Sequence, residues 1–181
     1  MEAIKMQSTV RSCPTVAVAP RRWRRKQMGF SLIELLVVVV IILIIAAIAI
    51  PNLMRARIAA NESGAAESIR TITTGETTYA ADCPDTGYSP TLKELNVGAV
   101  CAGGKNIIDE VLGGADPSTK AGYKFTYMAN AVGGVNSTYT VTGVPIASGI
   151  SGNRGFFSDQ TGVIRYTLDG TAPTSASSPL Q

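Results

Sequence analysis

Lys26-Gln27-Met28-Gly29-Phe30-Ser31-Leu32-Ile33-Glu34 opens an apolar run that reaches Ile50. Of the 21 residues from Phe30 to Ile50 only Ser31 and Glu34 are polar, and as a helix rising ~1.5 Å per residue they extend about 31 Å. That length spans one bilayer core. An ionised carboxylate within such a span costs about 2.5 to 3.5 kcal/mol on insertion scales, so Glu34 needs a partner. Outward from this stretch, the residues before it are basic and those after Pro51 change texture to an amphipathic pattern.

Gly29-Phe30-Ser31-Leu32-Ile33-Glu34-Leu35, the apolar helix behind it and Pro51 just beyond resemble the N-terminus of type IV prepilins and of the related type II secretion pseudopilins. The resemblance covers residues 26–65 closely and the remainder more loosely, as a pilin-like head. It implies an α+β fold, with a long N-terminal helix over residues 30–81 packed on a small antiparallel sheet in a head of residues 82–181. It also implies cleavage between Gly29 and Phe30 by prepilin peptidase, removal of residues 1–29, and methylation of the new Phe30 amine. Within one helix that amine and Glu34 lie about a turn apart. In an assembly, the amine of one subunit meets Glu34 of its neighbour and registers the incoming subunit; a carboxylate snorkelling to the interface is the plainer alternative. The implied partners are further copies of the chain in a helical filament, prepilin peptidase, an inner-membrane assembly platform and the membrane. No cofactor and no catalysed reaction are expected.

The implied location is a single pass through the inner membrane, N-terminus cytoplasmic and head outside, then a pilus or periplasmic pseudopilus. A major-type pilin is the first reading and a secretion pseudopilin the second. A third, from another class, is an extracytoplasmic binding module on an ordinary anchor, which the mature N-terminus would distinguish.

Charge bears on the partners. The 181 residues carry a formal +3, yet residues 1–29 hold seven Lys/Arg against Glu2 alone. Without that segment nine basic side chains face twelve acidic ones, a balance of −3. Nucleic-acid binding, which needs a retained basic face, loses its support. The chain has no histidine, which removes Ser-His and Cys-His nucleophile activation and His-ligated metals.

Residues 1–29 have no sustained apolar period, and Arg21-Arg22-Trp23-Arg24-Arg25-Lys26 fits a leader held inside by its charge. Arg21-Arg22 makes a poor twin-arginine signal because more basic residues follow. Ala47-Ile48-Ala49 offers a small-x-small signal-peptidase site, but the sixteen residues from Leu35 to Ile50 exceed the ~7 to 15 of an ordinary signal-peptide core.

Past Pro51, where a kink or local melting is expected, Met54, Ile58, Ala65, Ile69, Ile72 and Tyr79 form one apolar stripe. Arg55, Arg57, Glu62, Glu67, Arg70 and Glu76 are expected mostly outside it. Gly64 and Gly75 read equally as tolerated weak spots or as places of close approach. Asp82-Cys83-Pro84-Asp85-Thr86-Gly87 breaks the helix. A short capped helix follows at Ser89–Leu95 with Pro90 in its first turn, and another around Ile107–Leu112. Alternation at Tyr123, Phe125 and Tyr127 and at Tyr139, Val141 and Gly143 predicts strands, and Phe156-Phe157 and Val163–Tyr166 flank a hairpin turn. Three or four antiparallel strands are expected, with residues 171–181 a loosely ordered, Ser/Thr-rich tail. The aromatic residues read as core; stacked electron transport has nothing that singles it out.

Cys83 and Cys101 remain as a pair once Cys13 goes with the leader, in a segment facing an oxidising compartment. A disulfide is the favoured reading and two buried thiols the other. Asp159 and Asp169, with Asn153, offer oxygen ligands for calcium in no recognised spacing, so solvated turns are the simpler reading and no metal is expected. The Gly98–Lys105 stretch fails the register of a phosphate-binding loop, since Ala99 and Asn106 stand where glycine and Ser/Thr belong.

Overall fold

The computed structural model describes residues 29–97, 103–104 and 106–180. They fall into two units, one up to Ile41 and one from Ile42 on. In the first, the Ser31 carbonyl accepts from the amides of Glu34 at 3.1 Å and Leu35 at 3.2 Å and so starts helix α1, which is assigned over Leu32–Asp82.

In the second unit α1 continues unbroken through Pro51, so no local melting occurs there; Asn52 Nδ2 donates to the Ile48 carbonyl at 3.2 Å. The stripe behaves as its spacing demands from Ala65 onward: Ala65, Ile69, Ile72 and Tyr79 are buried, whereas Met54 is exposed. α1 ends where Pro84 cannot continue it, and the Cys83 carbonyl collects the amides of Thr86 and Gly87 at 3.1 and 3.0 Å.

Two short helices follow. α2 covers Leu92–Val97, later than expected, because Thr91 rather than Ser89 provides the first-turn carbonyl, accepting from the Glu94 amide at 3.2 Å. Pro90 therefore sits before the helix. α3 covers only Glu110–Gly113, since Asp109 caps it through the amides of Val111 and Leu112 at 3.0 and 3.1 Å. Ile107 and Ile108 instead extend over the Leu95 carbonyl. A Cβ on Gly75 would come within 3.1 Å of Ile107 and 3.2 Å of Ile108, so this glycine marks a close approach. At Gly64 the nearest such atom is Ala121 Cβ, at an ordinary 3.5 Å.

The sheet has six strands, more than expected: β1 Ser118–Lys120, β2 Tyr123–Val132, β3 Val135–Pro145, β4 Gly155–Asp159, β5 Arg165–Thr167 and β6 Ser178–Pro179. They run in sequence order, every neighbouring pair antiparallel. Tyr123, Phe125 and Tyr127 of β2 and Tyr139 and Val141 of β3 point into one core with Ala65, Ile69 and Ile72, joined by Leu92, Leu95, Ile108 and Leu112. This is a helix laid on one face of an antiparallel sheet, the α+β arrangement expected. At Gly143 a Cβ would meet Phe125 at 3.0 Å and Ile69 at 3.3 Å, so its absence lets α1 seat.

Two strands escaped composition-based reading. β1 is three residues long, and β6 lies in the tail expected to be loose. Leu180 explains the second: its amide donates to the Ile164 carbonyl at 2.7 Å and its side chain packs against the core. Arg165 Nη1 adds a hydrogen bond to the Ser177 carbonyl at 2.9 Å.

Candidate functional site

Gly29 and Phe30 precede the helix and are exposed, Phe30 by 75%. Glu34 is the acid in the first turn of α1, where the positive end of the helix dipole favours a carboxylate by about 0.3 to 1 kcal/mol. None of the side chains from Phe30 to Ile50 is buried. A contiguous apolar surface this large marks a region that meets lipid or another protein. Among the described residues no internal packing explains why these residues are Leu, Val and Ile.

A second centre lies where α1 meets the sheet, and sequence reading assigned its key residue to the wrong face. Glu76 is fully buried, although it was expected on the polar side of α1. The signal was present: Ile69, Ile72, Glu76 and Tyr79 follow one another by three, four and three residues, so Glu76 falls within the apolar stripe. Its Oε2 accepts from the Ser89 amide at 2.8 Å, and Tyr127, beside it, donates its hydroxyl to the Ser89 carbonyl at 2.7 Å. One carboxylate and one phenol thus hold both backbone groups of Ser89, fixing the loop before α2 to α1 and β2. Among the described residues neither Glu76 Oε1 nor the Tyr139 hydroxyl has a hydrogen-bond partner within 3.5 Å. Burial in this company raises the Glu76 carboxyl from 4.5 to about 7, against the lowering effect of the Ser89 amide. Burial likewise lifts Tyr139 to about 12. Tyr127 and Tyr139 stack with ring centroids 5.9 Å apart, and Tyr88 meets Tyr139 edge-on at 4.8 Å.

Nearer the start of the packed half of α1, Glu62 braces the head. Its Oε1 accepts from the Asn153 amide at 2.8 Å and its Oε2 faces Arg154 Nε at 3.5 Å.

The calcium candidates are engaged within their own loops. Asp159 Oδ1 accepts from the amide and hydroxyl of Thr161, and Asp169 Oδ1 from the amide and hydroxyl of Thr171, at 3.1 and 2.7 Å for the latter pair. The Thr171 hydroxyl holds Asp169 below the usual carboxylate range. Among the described residues no three His, Cys, Asp or Glu side chains gather as a metal site would require. Cys83 is buried at the end of α1; Cys101 lies outside the described residues, as do residues 1–28 and much of the rejected phosphate-loop stretch.

Residues 24–50 match the family described as the prokaryotic N-terminal methylation motif. No curated protein and no solved structure matches the chain. The motif is the prepilin-type cleavage and methylation signature of type IV pilins and pseudopilins, and it supports membership among these structural subunits. It implies processing by prepilin peptidase and assembly into filaments, and with the apolar α1 it is consistent with a membrane-anchored protein. The long apolar helix and the antiparallel sheet make the architecture pilin-like.

Proposed function

We propose that the chain is the structural subunit of a type IV pilus filament, inserted in the inner membrane with its N-terminus cytoplasmic and its head outside. Prepilin peptidase removes residues 1–29, methylates Phe30 and leaves residues 30–50 first as the membrane span and then as the filament core. Assembly replaces lipid contacts by contacts between apolar helices, and within apolar surroundings the Phe30 amine finds Glu34 of the adjacent subunit. The observation that carries this reading is the coincidence of the matched motif with a helix that begins at Leu32 and buries none of its side chains through Ile50.

The test is the mature N-terminus. Mass spectrometry of the purified chain is expected to give a protein beginning at Phe30 with one added methyl group. A start at Ile50 would establish a signal peptide and end the filament reading.

The exported head is proposed to carry a Cys83–Cys101 disulfide. Support comes from the pairing of cysteines left after Cys13 is removed and from the position of Cys83 just past the end of α1. Non-reducing peptide mapping should recover the two cysteine peptides linked, and removing the bridge should cost about 3 kcal/mol for a loop of this size. Free thiols on both residues in native protein would refute it.

A further inference from the structure

The end of the head beside Arg55 carries large apolar side chains that no core requires. Ile146, Ile150 and Leu168 are 62, 65 and 71% exposed, and Leu53 on the adjoining turn of α1 is 70% exposed. They come from separate loops, but the structure gathers them. Asn61 Nδ2 donates to the Ser151 carbonyl at 2.8 Å, holding the loop of Ile146 and Ile150 to α1. Gly170 lies against Ser148 and Pro145, and Leu168 shares a groove with Arg55 and Ile58.

We propose that this end of the head is a foot that rests on an anionic phospholipid bilayer while the subunit is a membrane-held monomer, a surface that rests on the anchored reading above. Depth supports it. Arg55 lies five residues beyond Ile50, at most about 7.5 Å along a helix, which is the outer edge of a headgroup layer that extends about 5 to 7.5 Å beyond the hydrocarbon on each side. Leu168, in the groove with Arg55, is therefore at headgroup level. Charge supports it as well: Arg55 and Arg57 are exposed and form no ion pair among the described residues. Glu62 is matched by Arg154 at 3.5 Å, and Asp169, beside Leu168, keeps its negative charge within its hydrogen bonds from Thr171, so the two arginines outweigh it by one. Apolar side chains that enter the acyl boundary beneath flanking arginines are the pattern of an interfacial contact. A second copy of the chain would need acids opposite Arg55 and Arg57, whereas an anionic lipid supplies that charge directly.

The test uses the whole chain with Trp23→Phe, so that one introduced tryptophan reports alone, in nanodiscs of phosphatidylglycerol and phosphatidylcholine brominated high on the acyl chain. Leu168→Trp and, independently, Ile150→Trp are expected to be quenched about twofold or more. Val132→Trp, at the exposed end of β2, should not be quenched. Replacing phosphatidylglycerol by phosphatidylcholine, or Arg55 and Arg57 by glutamine, should relieve the quenching. Ile44→Trp checks the anchor: if it is unquenched, the membrane reading falls and this inference with it. If Ile44→Trp is quenched while both foot positions are not, the foot alone is wrong. A blue shift at Leu168→Trp that ignores bromine and grows with copies per disc would assign the surface to a second chain and overturn the lipid contact.

Discussion

Glu34→Ala and Glu34→Val are expected to leave the processed chain in the membrane at wild-type abundance and to abolish most of its filaments. Insertion survives because Leu35 to Ile50 is apolar enough by itself, and removing a charge from a span removes a cost. Assembly fails because the Phe30 amine of each arriving subunit is left in low dielectric with nothing opposite it. Breaking one half of a buried ion pair costs about 3 to 5 kcal/mol, chiefly through the charge left unpaired. At 1.4 kcal/mol per factor of ten, the loss per subunit contact is roughly a hundredfold or more. The measurement is sheared filament yield beside membrane-fraction abundance, with the mature N-terminus confirmed. Normal filament amounts from both variants would remove the registry role, and a loss of membrane protein would make Glu34 a determinant of insertion instead. The Glu34→Val variant is the stricter comparison because it makes the helix uniformly apolar.

The second large effect is expected from Glu76, and it concerns the head. The folded chain keeps a proton on this carboxyl up to about pH 7, whereas the unfolded chain releases it near 4.5. Between those values the folded state binds more protons, so stability falls as pH rises and levels off above the folded value. A shift of this size corresponds to about 3 kcal/mol across the window. Glutamine has the carboxyl's shape, still accepts from the Ser89 amide and does not titrate. Glu76→Gln should therefore erase this part of the pH slope and leave a head more stable than wild type by up to about 3 kcal/mol above pH 7. Thermal unfolding of both proteins in the same detergent between pH 4.5 and 8 reads the difference directly. Parallel curves would mean that Glu76 is ionised in the folded chain and that a compensating charge reaches it.

Glu76 also shows where sequence reading reached its limit. A glutamate on a helix is by default a solvated residue, so its type outweighed its position between Ile72 and Tyr79. Ser89, whose amide satisfies it, lies 13 residues away in a turn that periodicity does not describe. The N-terminal stretch was legible because its information is local: length, one acid and a glycine before a phenylalanine need no tertiary partner. The aromatic strands were legible for a related reason, since alternation at Tyr123, Phe125 and Tyr127 shows directly which face is covered. β1 and β6 were not, because strands of three and two residues carry too few side chains for any period and exist by pairing with β2 and β5. The helix starts moved by a residue or more for a similar cause: Thr91 and Asp109 hold the first-turn contacts, and neighbouring Ser89 and Pro90 look equally suitable in the sequence.

The sheet's strands pair only with their neighbours in sequence, and this gives the molecule a direction in time. Hairpin-by-hairpin pairing closes short loops and favours rapid folding. The face of α1 from Ala65 to Tyr79, by contrast, is made first during synthesis and waits for strands that begin at Ser118. During that interval Ile69 and Ile72 are bare, and Glu76 is in water and ionised at neutral pH. Docking of the β2–β3 hairpin therefore covers the helix and takes up a proton in one event. Folding at neutral pH should accordingly be linked to proton uptake at Glu76, and acidification should speed the step that joins helix to sheet if that contact forms in its transition state.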